Sequence, residues 1–130
     1  MAINYLWDTN TAIYYLQQLF SKEAEDFMDN ILKESVPAIS AITEIELLCW
    51  KSATKKDLTV LKSFITDSFV FELEQEIKDK TVELRKSYSI KTPDAIIAAT
   101  ALVNNLTLIS RNTKDFEKIE GLVLINPFDL

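Results

Sequence analysis

Four acidic residues stand at the ends of apolar segments or inside them. A carboxylate there normally costs stability, because it is expensive to remove from water. Asp8 closes one such segment, Asp94 opens another, Asp115 follows a third by a short turn, and Glu46 lies inside a fourth. If the fold brings these side chains together, their oxygens form a pocket for a hard divalent cation. The pattern therefore points to metal-dependent chemistry, most simply on phosphate esters.

The residue types that the chain lacks exclude several other chemistries. There is no histidine, which excludes Ser-His-Asp and Cys-His catalysis as well as histidine-ligated zinc. One cysteine cannot build a thiolate zinc site. A single glycine, Gly121, is too few for a P-loop or a dinucleotide-binding loop. Carboxylates, hydroxyls, amides and the Lys and Arg side chains remain as the reactive groups.

The formal net charge is -6 at pH 7, which argues against a simple basic module that reads phosphates with a positive surface. The charge is compatible with a metal-dependent nuclease, because there the acids bind the cation and the cation meets the phosphate. Three cations flank the acidic segments and are candidates to hold a phosphate backbone: Lys91, Arg111 and Lys114. Plain solubility explains a surface lysine equally well.

Length and composition predict one domain, residues 1–130, without a linker, repeat or low-complexity segment. No apolar run is long enough to span a bilayer, and the start of the chain has neither the basic region nor the cleavage site of a secretory signal. Cys49 is the only cysteine, so no internal disulfide can form, and its apolar neighbours predict a buried small hydrophobe. We expect a cytoplasmic protein with no membrane partner.

Strand-like and helical segments alternate along the chain, which predicts an α/β fold with right-handed crossovers and a mainly parallel sheet. Strands are expected at 3–7, 36–40, 69–73, 106–109 and 122–125. Helices are expected at 10–20, 21–34, from 40 or 43 to 50, 55–66, 74–88 and 92–104. Sites in such sheets form beyond the carboxyl ends of the strands, which is where Asp8, the segment Ser110-Arg111-Asn112 and the following Asp115 are expected.

Two of the acids also have an ordinary structural explanation as helix-capping groups. Asp8 begins a run of good caps, in which Thr9 or Asn10 is expected to cap the following helix. Asp94 follows Thr92 as the expected N-cap and Pro93 at the first helical position. An acid there complements the helix dipole, which is also expected to lower its pKa and keep it ionised for a metal.

The other candidates are equally open to two interpretations. Glu46 is expected at the edge of a helical face formed by Ile42, Ile45 and Cys49, bordering the core, although an exposed helical glutamate is as common. Asn112 can offer a neutral oxygen to a cation and Asp115 a charged one, but both residue types also favour turns.

In this order and at these spacings, five short segments resemble the PIN-domain family, and more closely its VapC-type toxins of bacterial toxin–antitoxin pairs. The resemblance covers essentially the whole chain. Its segments read LWDTN at 6–10, ISAITEIEL at 39–47, TPDAIIAA at 92–99, LISRNTKDF at 108–116 and INPF at 125–128.

The resemblance implies a three-layer α/β/α PIN-like domain that hydrolyses RNA with bound Mg²⁺ or Mn²⁺, as the toxin of a VapBC-type, type II pair. The family acids correspond to Asp8, Glu46 and Asp94, with Glu46 preferred to Glu44 from the Thr-x-x-Glu-Leu pattern. Many relatives carry Asp where Asn112 stands, so either Asn112 or Asp115 completes the site. The implied partners are an RNA substrate and a cognate antitoxin, and the implied assembly is a homodimer.

Two other functions fit parts of the sequence. A haloacid-dehalogenase-like phosphatase also begins with a strand and a catalytic Asp, but it requires a second Asp where Asn10 stands. A catalytically silent PIN-like module is the non-enzymatic alternative, in which the acids are caps and the aromatic segment around Tyr14 to Phe20 serves the core or a partner surface.

Overall fold

A computed structural model describes residues 2–130 and contains one five-stranded sheet in which every neighbouring pair is parallel. The strands are β1 (Tyr5–Trp7), β2 (Ala38–Ser40), β3 (Phe69–Phe71), β4 (Thr107–Ile109) and β5 (Leu124–Ile125). Their order across the sheet is β3-β2-β1-β4-β5. The predicted parallel sheet is therefore confirmed, with β1 at its centre.

Helical segments connect the strands and cover both faces of the sheet. They are α1 (Thr9–Leu16), α2 (Lys22–Glu34), α3 (Ala41–Leu48), α4 (Lys55–Asp67), α5 (Gln75–Ser87), α6 (Thr92–Val103), α7 (Thr113–Phe116) and a C-terminal 3₁₀ helix (Pro127–Asp129). Within residues 2–130, no helix has both the length and the apolarity needed to cross a membrane.

Successive residues of the central strands enter different cores, as the two-residue period of a strand requires. In β1, Leu6 packs with the residues of α5 and α6, whereas Trp7 packs with those of α1 to α4. Leu108 and Ile109 of β4 alternate in the same way. The sheet thus lies between two helical layers, which is the predicted three-layer α/β/α architecture.

The strands are shorter than the apolar runs that contain them. β2 begins at Ala38 instead of residue 36, and β5 has two residues where four were expected. The apolar residues outside the strands still pack against the cores: Ile3 and Leu122 are examples. Apolar runs therefore located the strands correctly but overstated their hydrogen-bonded length.

The first helix differs from its prediction at both ends. Its N-cap is Asp8, whose carboxylate accepts a hydrogen bond from the Thr11 amide, so neither Thr9 nor Asn10 is the cap. It ends at Leu16 instead of continuing to Phe20, because Gln18 adopts a left-handed backbone with a φ of 58°. The chain therefore turns before Phe20.

The buried face of α3 is not the one expected. Thr43 and Leu47 are its buried residues, while Ile45 is 56% exposed. Cys49 lies just beyond the helix as its C-cap residue and is exposed, so the predicted burial of this thiol is wrong. The physical reason is that Leu47 packs in the core formed with α1, α2 and α4 while Ile42 is partly buried against the core of α5 and α6, which leaves the side of the helix that carries Ile45 in solvent.

Leu47 and Leu48 are adjacent in α3 and offer a matched test of this orientation. Leu47 is 0% exposed and Leu48 is 48% exposed. Leu47→Ala should lower the free energy of unfolding by about 2–5 kcal/mol, because it leaves a cavity in the core. Leu48→Ala should cost less than about 1 kcal/mol. Urea unfolding of both variants measures the difference, and equal costs would contradict the observed orientation of α3.

Candidate active site

Asp8 caps α1, as one of the two explanations from the sequence proposed, and it is almost fully buried at 7% exposure. Its Oδ1 accepts a hydrogen bond of 2.8 Å from the Thr11 amide, and its Oδ2 accepts one from the Ser110 hydroxyl. Burial raises the pKa of Asp8, while the bonds from Ser110 and Thr11 act in the opposite direction. Each oxygen retains a free lone pair.

The pairing of β1 with β4 brings Ser110 to Asp8. Trp7 and Ile109 are partners in the parallel register, and the Asp8 amide donates to the Ile109 carbonyl at 3.3 Å. The next residues of both strands are Asp8 and Ser110, which therefore leave the sheet side by side. The sequence placed Ser110 at the carboxyl end of a strand but gave it no role, because its contact with Asp8 depends on the pairing of two distant strands.

Glu46 is fixed by a residue from another segment. The hydroxyl of Thr9 donates to Glu46 Oε1 at 2.6 Å and also lies 3.3 Å from Thr43 Oγ1. Thr9 was predicted as a helix cap, whereas in the structure its hydroxyl orients the side chain of Glu46. This contact joins the start of α1 to α3, and Ser40 caps α3 from the end of β2.

Asp94 is the third residue of α6, because the N-cap is Lys91 and not Thr92. Burial raises the pKa of Asp94, and the nearby carboxylates of Asp115, Asp8 and Glu46 raise it further. The expectation that the helix dipole would lower this pKa is therefore wrong, because burial and the crowding of negative charge outweigh it. A bound cation would reverse the effect of that crowding.

Residues from four separate segments line one small cavity of about 130 Å³ at the carboxyl edge of the sheet. Its lining consists of Asp8, Thr9, Asn10, Glu46, Asp94, Ile97 and Asn112. Three of the predicted acids therefore face the same space, as their positions in the sequence predicted.

Asn112 and Asp115 occupy different positions relative to this cavity. Asn112 lines it, whereas Asp115 lines a neighbouring cavity of about 390 Å³ together with Arg85 and Lys91. The two side chains are joined, since Asn112 Nδ2 donates to Asp115 Oδ2 at 3.1 Å. Asn112 also caps α7, a short helix where only a turn was expected.

The donors of the cavity suit Mg²⁺ or Mn²⁺ in type, because these hard cations prefer carboxylate and amide oxygens. Among residues 2–130, however, no three acidic or cysteine side chains stand close enough together to form a ready metal site.

The PIN domain family matches residues 5–122 of the chain. The chain therefore belongs to the PIN domain family, and the resemblance drawn from its five segments is confirmed. Two relatives are similar over nearly the full length. Ribonuclease VapC2 of Rickettsia felis is 29% identical over 133 residues, covering 94% of this chain and 96% of its own. The tRNA(fMet)-specific endonuclease VapC of Salmonella typhimurium is 30% identical over 128 residues, covering 92% and 95%.

Solved structures agree with this assignment. A toxin–antitoxin complex from Klebsiella pneumoniae contains a chain that is 32% identical, with a TM-score of 0.75 and coverage of 98% of this chain and 100% of that one. A chain of the DNA-bound VapBC of Salmonella typhimurium gives a TM-score of 0.80 at 26% identity, with coverage of 96% and 98%. The likeness to VapC-type members of the family is thereby confirmed.

The raised pKa of Asp94 predicts a stability that depends on pH. Since the folded-state pKa lies above the ordinary value of 3.8, the acid favours folding below that pH and opposes it as pH rises through the folded pKa. In EDTA, Asp94→Asn should therefore melt at a higher temperature than the wild-type protein at neutral pH. The gain should shrink as the pH falls toward 3.8.

Thermal melts across this pH range measure the effect. Asp67→Asn is the matched control, because Asp67 is exposed at the end of α4 and lies outside the cavity. A gain that is absent at neutral pH, or equal for both variants, would contradict the proposed crowding of charge around Asp94.

Proposed function

We propose that this protein is a divalent-cation-dependent endoribonuclease of the VapC type, which hydrolyses RNA phosphodiesters at the cavity between Asp8, Glu46 and Asp94. One observation carries the proposal: three carboxylates from distant segments of the chain line the same small cavity at the carboxyl edge of a parallel sheet. The names of the two relatives, a ribonuclease and a tRNA endonuclease, support RNA as the substrate class.

A bound Mg²⁺ or Mn²⁺ would lower the pKa of a water molecule and neutralise charge on the phosphate. Asp8 is the residue best placed to hold the cation, because Ser110 and Thr11 fix both of its oxygens in position. Asp94 lies at the start of α6, and its raised pKa is governed by burial and by other carboxylates. It is therefore the second carboxylate that we expect to bind the cation.

Glu46 completes this set through its position relative to Thr9. Oε1 accepts the Thr9 hydroxyl and keeps one lone pair, while both lone pairs of Oε2 remain for the cation or for the attacking water. Such outer hydrogen bonds fix the orientation of a ligand and tune its basicity.

We assign the fourth donor of the cation site to Asn112, and we assign to Asp115 the role of holding the Asn112 side chain in place. Asn112 lines the cavity, and the Asp115 carboxylate holds its amide by a hydrogen bond of 3.1 Å. The negative charge of Asp115 raises the pKa of Asp94, so it also adds to the field that attracts a cation. A neutral fourth donor leaves this site with less charge than four acids would give.

As a toxin, the protein would act with a cognate antitoxin as its protein partner and assemble as a homodimer in the cytoplasm. The proposal of an antitoxin rests on relatives that were solved as toxin–antitoxin and VapBC complexes. Light scattering on the purified protein, alone and with a co-expressed antitoxin, measures both assemblies.

Removal of the cation or of Asp8 tests the proposed activity. EDTA should abolish cleavage of single-stranded oligoribonucleotides, and added Mg²⁺ or Mn²⁺ should restore it. Asp8→Asn should lower kcat by about 100-fold or more, because several kcal/mol of charge stabilisation are lost. Asparagine caps helices as well as aspartate does, so the variant should keep its fold.

Asp67→Asn is again the control and should cleave like the wild-type protein. Cleavage that persists in EDTA and in Asp8→Asn would contradict a cation-dependent mechanism. A wild-type protein that cleaves no RNA but binds a partner tightly would instead favour the silent binding module. Metal-dependent phosphatase activity with covalent labelling of Asp8 would favour the dehalogenase-like alternative.

The hydroxyl of Thr9 offers a finer test, because it donates a hydrogen bond to Glu46 Oε1 and so orients that side chain. Thr9→Val keeps the shape of the side chain and removes the hydroxyl, which should lower kcat about 10- to 100-fold. Thr9→Ser keeps the hydroxyl and should stay near the wild-type rate. Steady-state kinetics on the same RNA distinguish the two variants, and equal rates would argue against an orienting role.

A further inference from the structure

A cluster of three aromatic rings borders the candidate active site. Tyr14 comes from α1, Phe20 from the turn after it, and Phe128 from the C-terminal 3₁₀ helix. The ring of Phe128 lies 5.5 Å from that of Tyr14 and 5.1 Å from that of Phe20, measured between centroids. Contacts with two other rings hold Phe128 in one orientation, with its ring half-buried beside the site.

Arg111 lies on this ring. Its guanidinium carbon is 4.5 Å from the centroid of Phe128, which is the geometry of a cation–π contact. The side chain is exposed, and within residues 2–130 the salt bridges join other residues, Lys22 to Asp26 and Lys80 to Glu83. The stacking therefore positions the guanidinium without engaging its N–H groups.

The stacked arginine faces a second cavity that opens from the first. This cavity of about 310 Å³ is lined by Asp8, Asn10, Tyr14, Arg111 and Asn112. Three of these residues, Asp8, Asn10 and Asn112, also line the cavity of the acids. A chain bound across the carboxylates can therefore extend directly past Arg111.

We propose that Arg111 binds a phosphate next to the scissile one and that Phe128 is the residue that positions it. The inference rests on the proposed ribonuclease function. A planar guanidinium with free N–H edges matches the oxygens of a phosphate in a bidentate manner. A chain with a net charge of -6 also needs a local cation to hold an RNA backbone against its acids.

The two residues have separable roles in this arrangement. Arg111 contacts the RNA and provides the positive charge, whereas Phe128 acts through Arg111 by holding the guanidinium plane. Loss of Arg111 should therefore weaken substrate binding and its dependence on salt. Loss of the Phe128 ring should weaken binding while the charge, and hence the salt dependence, remains.

Steady-state kinetics on single-stranded oligoribonucleotides, with Mg²⁺ and at several salt concentrations, test this division. Arg111→Ala should raise KM about tenfold, the effect of losing one charged hydrogen-bonded contact, with little change in kcat. It should also reduce the slope of log KM against log salt by about 0.7, the value for one phosphate of a single strand. Arg111→Lys should keep the slope and raise KM.

Phe128 is tested by a pair of substitutions and a double variant. Phe128→Leu removes the flat ring and should raise KM. Phe128→Trp keeps a stacking surface, so its KM should stay near the wild-type value. Arg111→Ala combined with Phe128→Leu should be no worse than Arg111→Ala alone, because residues that act as one unit are not additive. Thermal melts identify any variant whose fold is lost.

Lys62→Ala is the matched control, because it also removes one positive charge but lies exposed on α4, which lines neither cavity. An Arg111→Ala variant with the KM of this control would overturn the proposal, and so would one whose loss is confined to kcat. Weaker binding of a co-expressed antitoxin with an unchanged KM would assign Arg111 to an acidic peptide instead. A wild-type protein that cleaves no RNA would refute the proposed ribonuclease function itself. That result is distinguishable from a failure of the Arg111 proposal, in which the wild-type protein still cleaves RNA.

Discussion

The parallel pairing of β1 with β4 is the interaction on which the site depends. It places Asp8 next to Ser110 although 102 residues separate them, and the buried Thr11 hydroxyl fastens α1 to the Ile109 carbonyl at 2.9 Å. The same pairing sets the start of α1, and so the position from which Thr9 reaches Glu46 on α3. A one-residue slip of this register would turn Asp8 to the opposite face of the sheet and separate it from Ser110.

The site is assembled at a cost to the folded protein. Burial and the proximity of other carboxylates raise the pKa of both Asp8 and Asp94, so holding them ionised opposes folding when no cation is bound. The two cores provide the compensating stability, with Trp7, Leu6, Ile109 and Leu108 buried directly beneath the edge that holds the acids. The acids that the sequence places beside apolar segments thus lower the stability of the folded protein, and they do so at one edge of the sheet.

Much of this arrangement follows from local sequence patterns. The apolar runs located all five strands, helical spacing placed α2 and α4 within a residue or two, and the positions of Asp8, Glu46 and Asp94 at element ends anticipated a shared cavity. The contacts of Ser110 and Thr9 could not be read in the same way, because they depend on the register and packing of segments far apart in the chain. The predicted direction of the Asp94 pKa shift was wrong for the same reason, because the carboxylates that raise this pKa come from distant parts of the chain.

The exposed thiol at the end of α3 has a practical consequence for the study of assembly. Cys49 is the only cysteine of the sequence and its side chain is accessible, so it has no partner within the same chain. In an oxidising buffer, two copies can become linked through an intermolecular disulfide. Such a dimer results from oxidation and not from non-covalent association. Oligomeric state is therefore meaningful only for the reduced protein or for a Cys49→Ser variant. The same thiol also provides a single attachment point for a fluorescent dye, directly after the helix that bears Glu46.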